Sequence, residues 1–346
     1  MESGKMRVRN DGVDLLRVVS MAMIVLLHVL GCGGILAATE AGTAAYRAAW
    51  LWEIAAYGAV DCYALISGFV GYAKPLRPAS LVLTWLRVWF WSVLPTVAFV
   101  LCMPEAVGRR DFILSLFPVL ARRYWYATSY FLTCLLTPLL KALLRRGSRR
   151  SAGLCLLLFS CGSSLFITLR CEETFYLKVG GGVFLLAWLY LLGGYVGKYG
   201  VGEKGKPLFF FGAYAAAVFA TWTAFLYGET RLVCYASPTV LLGSVCLFLC
   251  FRNLSVGEKG RRFLRVASPP TFGVYLLHTQ PFIWTYLLKG SFAFAGGRGA
   301  IFLTGVALLA ALLIDIFCSA ADTLRAWLFR KCRIEERVGA VFRREK

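Results

Sequence analysis

The chain has 346 residues, 59% of them hydrophobic, with 34 glycines and a mean hydropathy of +0.68. That is too apolar for a soluble globular protein. A formal charge of +20 invites a nucleic-acid reading, but the Lys and Arg residues gather in short loops between long apolar runs, so no nucleic-acid partner is expected.

In chain order, runs long enough to cross a bilayer fall at roughly 14–36, 48–72, 80–103, 124–144, 152–169, 181–199, 207–227, 232–251, 268–288 and 299–320. They predict an all-α, polytopic integral membrane protein of about ten transmembrane helices, with residues 1–346 forming one domain. Lys5, Arg7 and Arg9 precede the first run as they would a signal peptide. That run is too long, lacks a small-residue cleavage site and contains Asp14, Arg17 and His28, so it is expected to remain in the mature protein. Between the third and fourth runs, residues 105–121 with Pro118 read as a re-entrant or interfacial piece.

With residues 1–13 placed inside, the basic clusters Lys141–Arg150 and Arg252–Arg265 and the C-terminal tail all fall on the inner side. Both termini are therefore expected in the cytoplasm. The tail 331–346 mixes basic residues with Ile334, Val338, Val341 and Phe342, which suits the inner membrane surface. A short loop at 73–79 implies antiparallel neighbours in a compact bundle. Gly180, Gly181, Gly182, Gly193, Gly194 and Gly197 mark places where helices can approach closely. Twelve cysteines without a CxxC pair read as packing residues.

Titratable groups inside membrane spans are costly and are functional candidates for that reason. Only two histidines exist, and His28 lies eleven residues after Arg17 in the first span. Eleven steps of about 100° end roughly 20° past three turns, so the two share a face and differ by about 16 Å in height. The pair offers a fixed cation near the entrance and a proton-transfer group deeper in. Asp61, at a similar depth on the second span, is a candidate partner for the His28 ring, since a carboxylate beside an imidazole orients a general base. The competing structural reading is a buried Asp bonded to Ser or Tyr. Arg87 lies one to two turns inside the third span, at the same mouth as Arg17, where guanidinium groups could grip phosphate. Arg17 could instead pair with Asp14, and Arg87 could snorkel.

Cys32 shares the His28 face, but two ligands do not close a zinc site, and no metal is expected. His278, in Thr271–His278, reads as a helix contact or a secondary base. Tyr46, Trp50 and Trp52 form one outer aromatic group. Tyr124, Trp125 and Tyr126 with Arg122 and Arg123 form another, with Arg122 and Trp125 as acceptor-side candidates.

At these residues the sequence resembles the membrane acyltransferase-3 family. Arg9-Asn10-Asp11-Gly12-Val13-Asp14-Leu15-Leu16-Arg17 followed by His28 is similar to its Arg-x10-His opening. Ala59-Val60-Asp61-Cys62-Tyr63-Ala64-Leu65-Ile66-Ser67-Gly68-Phe69 resembles its second-helix motif, with Cys62 and Tyr63 where apolar or Phe residues are common. Trp125-Tyr126-Ala127-Thr128-Ser129-Tyr130-Phe131 through Pro138-Leu139-Leu140 and Phe272-Gly273-Val274-Tyr275-Leu276-Leu277-His278 resemble two later motifs.

The resemblance implies transfer of an acyl group, usually acetyl, from cytoplasmic acyl-CoA to a carbohydrate or other hydroxyl at the outer face. Arg17 would bind the donor, His28 would be the base or acyl relay, and Asp61 would belong to the catalytic neighbourhood. Some relatives carry an added extracytoplasmic domain, so a partner enzyme is expected to supply a final acceptor step. The expected location is a bacterial plasma membrane and the expected acceptor an envelope glycan or lipid-linked precursor. The competing reading is a transporter or flippase, against which stands the lack of paired unwound spans in related halves.

Overall fold

The structure is a computed structural model that describes residues 9–168 and 182–343. All regular structure in them is helical. In order these are α1 (Asp11–Leu30), α2 (Ala44–Tyr57), α3 (Ala59–Gly71), α4 (Pro78–Cys102), α5 (Arg109–Leu116), α6 (Trp125–Arg146) and α7 (Arg149–Thr168). Then come α8 (Val183–Tyr199), α9 (Pro207–Leu226), α10 (Pro238–Arg252), α11 (Glu258–Ala267), α12 (Thr271–His278) and α13 (Pro281–Ile283). A π-helical turn, Trp284–Leu288, continues α13, and α14 (Ala300–Lys331) and α15 (Ile334–Val341) complete the chain.

Six helical stretches are long and apolar enough to cross a membrane: α1, α2 with α3, α4, α6, α9 and α14. The protein is therefore multi-pass. Helices α8 and α10 are apolar but only 17 and 15 residues long.

Helix α1 is the hub. It packs on α2, α3, α10, α12 and α14, and even its polar Asp14 and Ser20 are buried. Its start is built locally: Asn10 Oδ1 accepts the Val13 amide at 2.9 Å, the N-cap bond that satisfies a helix's orphan donors. Asn10 Nδ2 also donates to Arg252 O at 3.0 Å, tying this end to α10. By contrast α9 buries only Ala217, Thr221 and Phe225, so most of its apolar surface is left to lipid.

The tightest crossing joins α3 and α8, where glycines let backbones meet. A Cβ on Gly68 would collide with Tyr190 O, and one on Gly193 with Leu65 O. Gly194 faces Tyr72 and Leu144 in the same way, and Tyr72 donates to Gly197 O at 3.0 Å. The expected close approaches are thus seen at Gly193 and Gly194. Gly180 and Gly181, and parts of the expected runs 152–169 and 181–199, lie outside the described residues, as do Lys5 and Arg7.

Several spans differ from their expected bounds. Helix α1 stops at Leu30 because Gly31, Gly33 and Gly34 follow, Gly34 at φ +89°, where a side chain is strained. His28 therefore occupies the last turn of its helix rather than the middle. The second run breaks at Gly58, placing Asp61 in the first turn of α3. The eighth starts only at Pro238, capped by the Ser237 hydroxyl. The ninth is broken after His278, since Pro281 holds Gln280 in extended backbone. The tenth runs on to Lys331, 32 residues or about 48 Å, well past a hydrocarbon core of about 30 Å. Residues 105–121 contain the short helix α5, held by Ser92 Oγ donating to Ser115 O at 2.9 Å.

Replacing Gly193 with Leu should unfold or splay the α3–α8 crossing, since overpacking of this kind costs about 1–3 kcal/mol or more. The thermal midpoint of purified protein in detergent should drop by several degrees, whereas Gly212→Leu, with open space at its Cβ, should leave it unchanged.

Candidate active site

Arg17 and His28 lie on one face of α1. Arg17 Nη1 donates to Asp14 Oδ1 at 2.9 Å, and Asp14 is also paired with Arg9. One buried carboxylate thus faces two cations. Arg17 remains 30% exposed, and its Nε and Nη2 make no hydrogen bond among the described residues. The local pairing with Asp14 holds the guanidinium without using up its donors. Tyr63 donates its hydroxyl to Arg17 O at 2.7 Å, so the tyrosine at this motif position braces the helix beside the cation.

His28 meets the other histidine. Its Nδ1 lies 2.7 Å from His278 Nε2, with ring centroids 5.0 Å apart. The far side of His278 is fixed as well, its Nδ1 standing 2.6 Å from Val274 O. Trp284 of the π-helical turn packs edge-on against His28 at 4.8 Å, and π turns of this kind recur at functional sites. His28 Nε2 makes no hydrogen bond among the described residues, and the ring is only partly buried.

Both rings occupy the last turn of their helices, α1 and α12. Each helix C-terminus carries a partial negative charge worth about 0.3–1 kcal/mol to a nearby cation, up to about 2 in favourable partly buried sites. A protonated dyad therefore has two helix ends to stabilise it.

Backbone loops lock this meeting point. Gly290 N donates to Cys32 O at 3.0 Å and Phe292 N to Gly33 O at 2.9 Å, joining the segments that follow α1 and the π turn. Below them, the buried Gln280 accepts from Phe282 N and Ile283 N and donates to Thr96 on α4. The Gln280 side chain thus bridges the break after His278.

Asp61 is not the partner of His28. It is completely buried, its Oδ2 lies 3.2 Å from Ser244 Oγ on α10, and Oδ1 has no partner among the described residues. Similar depth placed it near His28 in the sequence reading, but its side chain is turned to the α3–α10 contact.

Arg87 likewise differs from a free phosphate grip. Its Nε donates to Asp322 Oδ1 at 3.1 Å, and its Nη2 bonds Asp322 Oδ2 and lies 3.1 and 3.2 Å from Pro269 O and Pro270 O. Asp322 also takes Trp91 Nε1 at 2.8 Å and Arg325 Nε at 2.8 Å. The cluster clamps Pro269 and Pro270, just before α12 and eight to nine residues ahead of His278. Gly273 makes room for it, since a Cβ there would collide with the Asp322 carboxylate. Neither Asp322 nor Arg325 stood out in the sequence, because both follow the expected end of the last span.

An aromatic wall joins the two ends of the α1 face. Tyr275 lies 6.5 Å from His278, Tyr126 5.8 Å from Tyr275, and Tyr63, which bonds Arg17 O, 6.4 Å from Tyr126. Tyr275 also accepts the Tyr126 amide at 3.2 Å. Of the outer candidates, Trp125 is half-buried and stacks on Tyr235 at 6.2 Å. Arg122 is exposed in the turn before α6 with a left-handed φ of 51°. Cys32, like every other described cysteine, is free.

Arg87→Ala should cost about 1–3 kcal/mol of stability, because Pro269 O and Pro270 O lose their donor while Asp322 keeps only Arg325 and Trp91. Arg87→Lys should recover little of it, as one ammonium cannot serve a carboxylate and two carbonyls in this geometry. Thermal unfolding checks this. A wild-type midpoint in Arg87→Ala would show that this ion pair does not hold α12.

Neither a curated protein nor a solved structure matches the chain. A family model described as an acyltransferase domain matches residues 10–318, from the N-cap of α1 to the middle of α14, and so includes both histidines, Arg17 and the aromatic wall. The chain belongs to the membrane acyltransferase-3 family.

Proposed function

We propose that this protein is an integral-membrane O-acyltransferase that moves an acyl group, acetyl foremost, from cytoplasmic acyl-CoA to a hydroxyl of a cell-envelope glycan or lipid-linked precursor. The observation that carries this reading is that Arg17 and His28 share one face of the buried hub helix and each keeps unengaged nitrogens. A cation at one end and an unbonded ring nitrogen about 16 Å further along suit a long donor whose phosphates and thioester are well separated.

In this mechanism the Arg17 guanidinium holds donor phosphate by charge-assisted hydrogen bonds. The donor's arm lies along the Tyr63–Tyr126–Tyr275 wall, bringing the thioester to His28. His28 Nε2 takes the proton of the acceptor hydroxyl as its oxygen attacks the acyl carbon. The C–S bond then breaks, and the departing CoA sulfur receives that proton. Trp125 and Arg122 are acceptor-side candidates. Asp61 supports the neighbourhood through the α3–α10 contact, and Arg87 supports it by holding α12.

The reading extends to topology. Ten crossings would be α1, α2–α3, α4, α6, α7, α8, α9, α10, α12 with the π turn, and α14, with both termini in the cytoplasm of a bacterial cell. Basic segments such as Arg261–Arg265 and Arg330–Arg333 support that orientation. An extracytoplasmic partner enzyme would complete transfer to the final acceptor.

The test is turnover in proteoliposomes with labelled acetyl-CoA and envelope glycan. His28→Ala should lower kcat by about 10²–10⁴-fold while folding is kept. Arg17→Ala should raise KM for the donor about tenfold to a hundredfold, as expected for losing hydrogen bonds to a charged group. Parent-level transfer by His28→Ala would overturn the mechanism. Substrate flux without release of free CoA would replace it with transport.

A further inference from the structure

We infer that His278 is a positioning residue that fixes which nitrogen of His28 serves as the base. The inference rests on the reading of His28 as general base, and it follows from hydrogen-bond accounting. Val274 O can only accept, so the 2.6 Å contact requires a proton on His278 Nδ1. In a neutral ring the other nitrogen, Nε2, then carries a lone pair. The 2.7 Å contact to His28 is satisfied only if His28 Nδ1 carries the proton and donates it. That leaves His28 Nε2 as the lone-pair nitrogen, and it is this atom that makes no hydrogen bond and is free for an acceptor hydroxyl. The backbone carbonyl of one helix thereby sets the tautomer of a side chain on another, through a single imidazole.

The alternative proton arrangement, with a cationic His278 donating to His28, would bury an unpaired charge. His278 is 1% exposed, and neither ring has a carboxylate partner among the described residues. The resting dyad is therefore neutral and directional.

During turnover the same chain of hydrogen bonds is kept. The acceptor O–H bond breaks as the His28 Nε2–H bond forms, and the resulting His28 cation keeps donating its Nδ1–H to the neutral His278. The Nε2 proton then passes to the leaving sulfur as the C–S bond breaks, and His28 returns to its resting tautomer. In this dyad a neutral imidazole occupies the place that a carboxylate fills in serine-hydrolase triads, and the termini of α1 and α12 supply the negative potential.

The chain holds only two histidines, so ¹⁵N-imidazole spectra of labelled protein in nanodiscs contain two rings and no others. Wild type should give Nδ1–H, Nε2 lone-pair shifts for both rings above neutral pH, with His28→Gln assigning them. His278→Leu should remove the acceptor, release His28 to the Nε2–H tautomer, and lower kcat about 10²-fold at unchanged donor KM. His278→Gln, whose amide oxygen can reach the Nε2 position, should restore the Nδ1–H tautomer and most of kcat. A wild-type spectrum with Nε2–H at His28 overturns the inference even if every variant misfolds. Full kcat in His278→Leu overturns it too, provided His28→Ala is inactive. Full activity in His28→Ala would instead bring down the proposed function.

Discussion

The arrangement depends on two helices ending at the same level. Helix α1 stops because glycines follow Leu30, and α12 stops because Pro281 forces extended backbone at Gln280. Their last turns each carry a histidine, and the rings meet at 2.7 Å. Had either helix continued, its C-terminal partial charge would lie further from the rings. The histidine pair, the unbonded Nε2 and the favourable helix-end potential all follow from these two stops.

The rest of the fold serves that meeting point from both ends of α12. At its start, Arg87 and Arg325 converge on Asp322, with Trp91 completing the carboxylate's shell of donors. At its end, Gln280 satisfies the next turn and reaches Thr96, and the loop bonds at Cys32 and Gly33 tie the post-α1 segment to the one beyond the π turn. An eight-residue helix would be marginal on its own. Held at both ends, it becomes a rigid support for His278, whose partner must be placed within tenths of an ångström to share a proton.

Much of this was legible residue by residue. The eleven-residue spacing put Arg17 and His28 on one face, and the glycines at 193 and 194 announced a close crossing. The partner of Asp61 stays open in the sequence, His28 or a Ser or Tyr, because counting residues along a helix gives height and says nothing of which neighbour the side chain faces. At that height α10, with Ser244, fills the space beside α3. Asp322 went unnoticed because apolar length ended the last span before it, although the helix continues to Lys331. The helix end at His278 was not legible from apolar length, since the run 268–288 reads as unbroken. Pro269, Pro270 and Pro281 were the available signal that a short helix ends there.

By itself the sequence determined that the chain lives in a membrane, that it is helical, and that Arg17 and His28 are aligned on one helix. Those properties are local, resting on apolar run length and on a fixed rotation per residue. Only the tertiary structure decided that the second histidine and not Asp61 meets the first, and that Arg87 is spent on Asp322. Such pairings depend on how each helix is rotated within the bundle and where it breaks, and packing between residues up to 250 positions apart sets both.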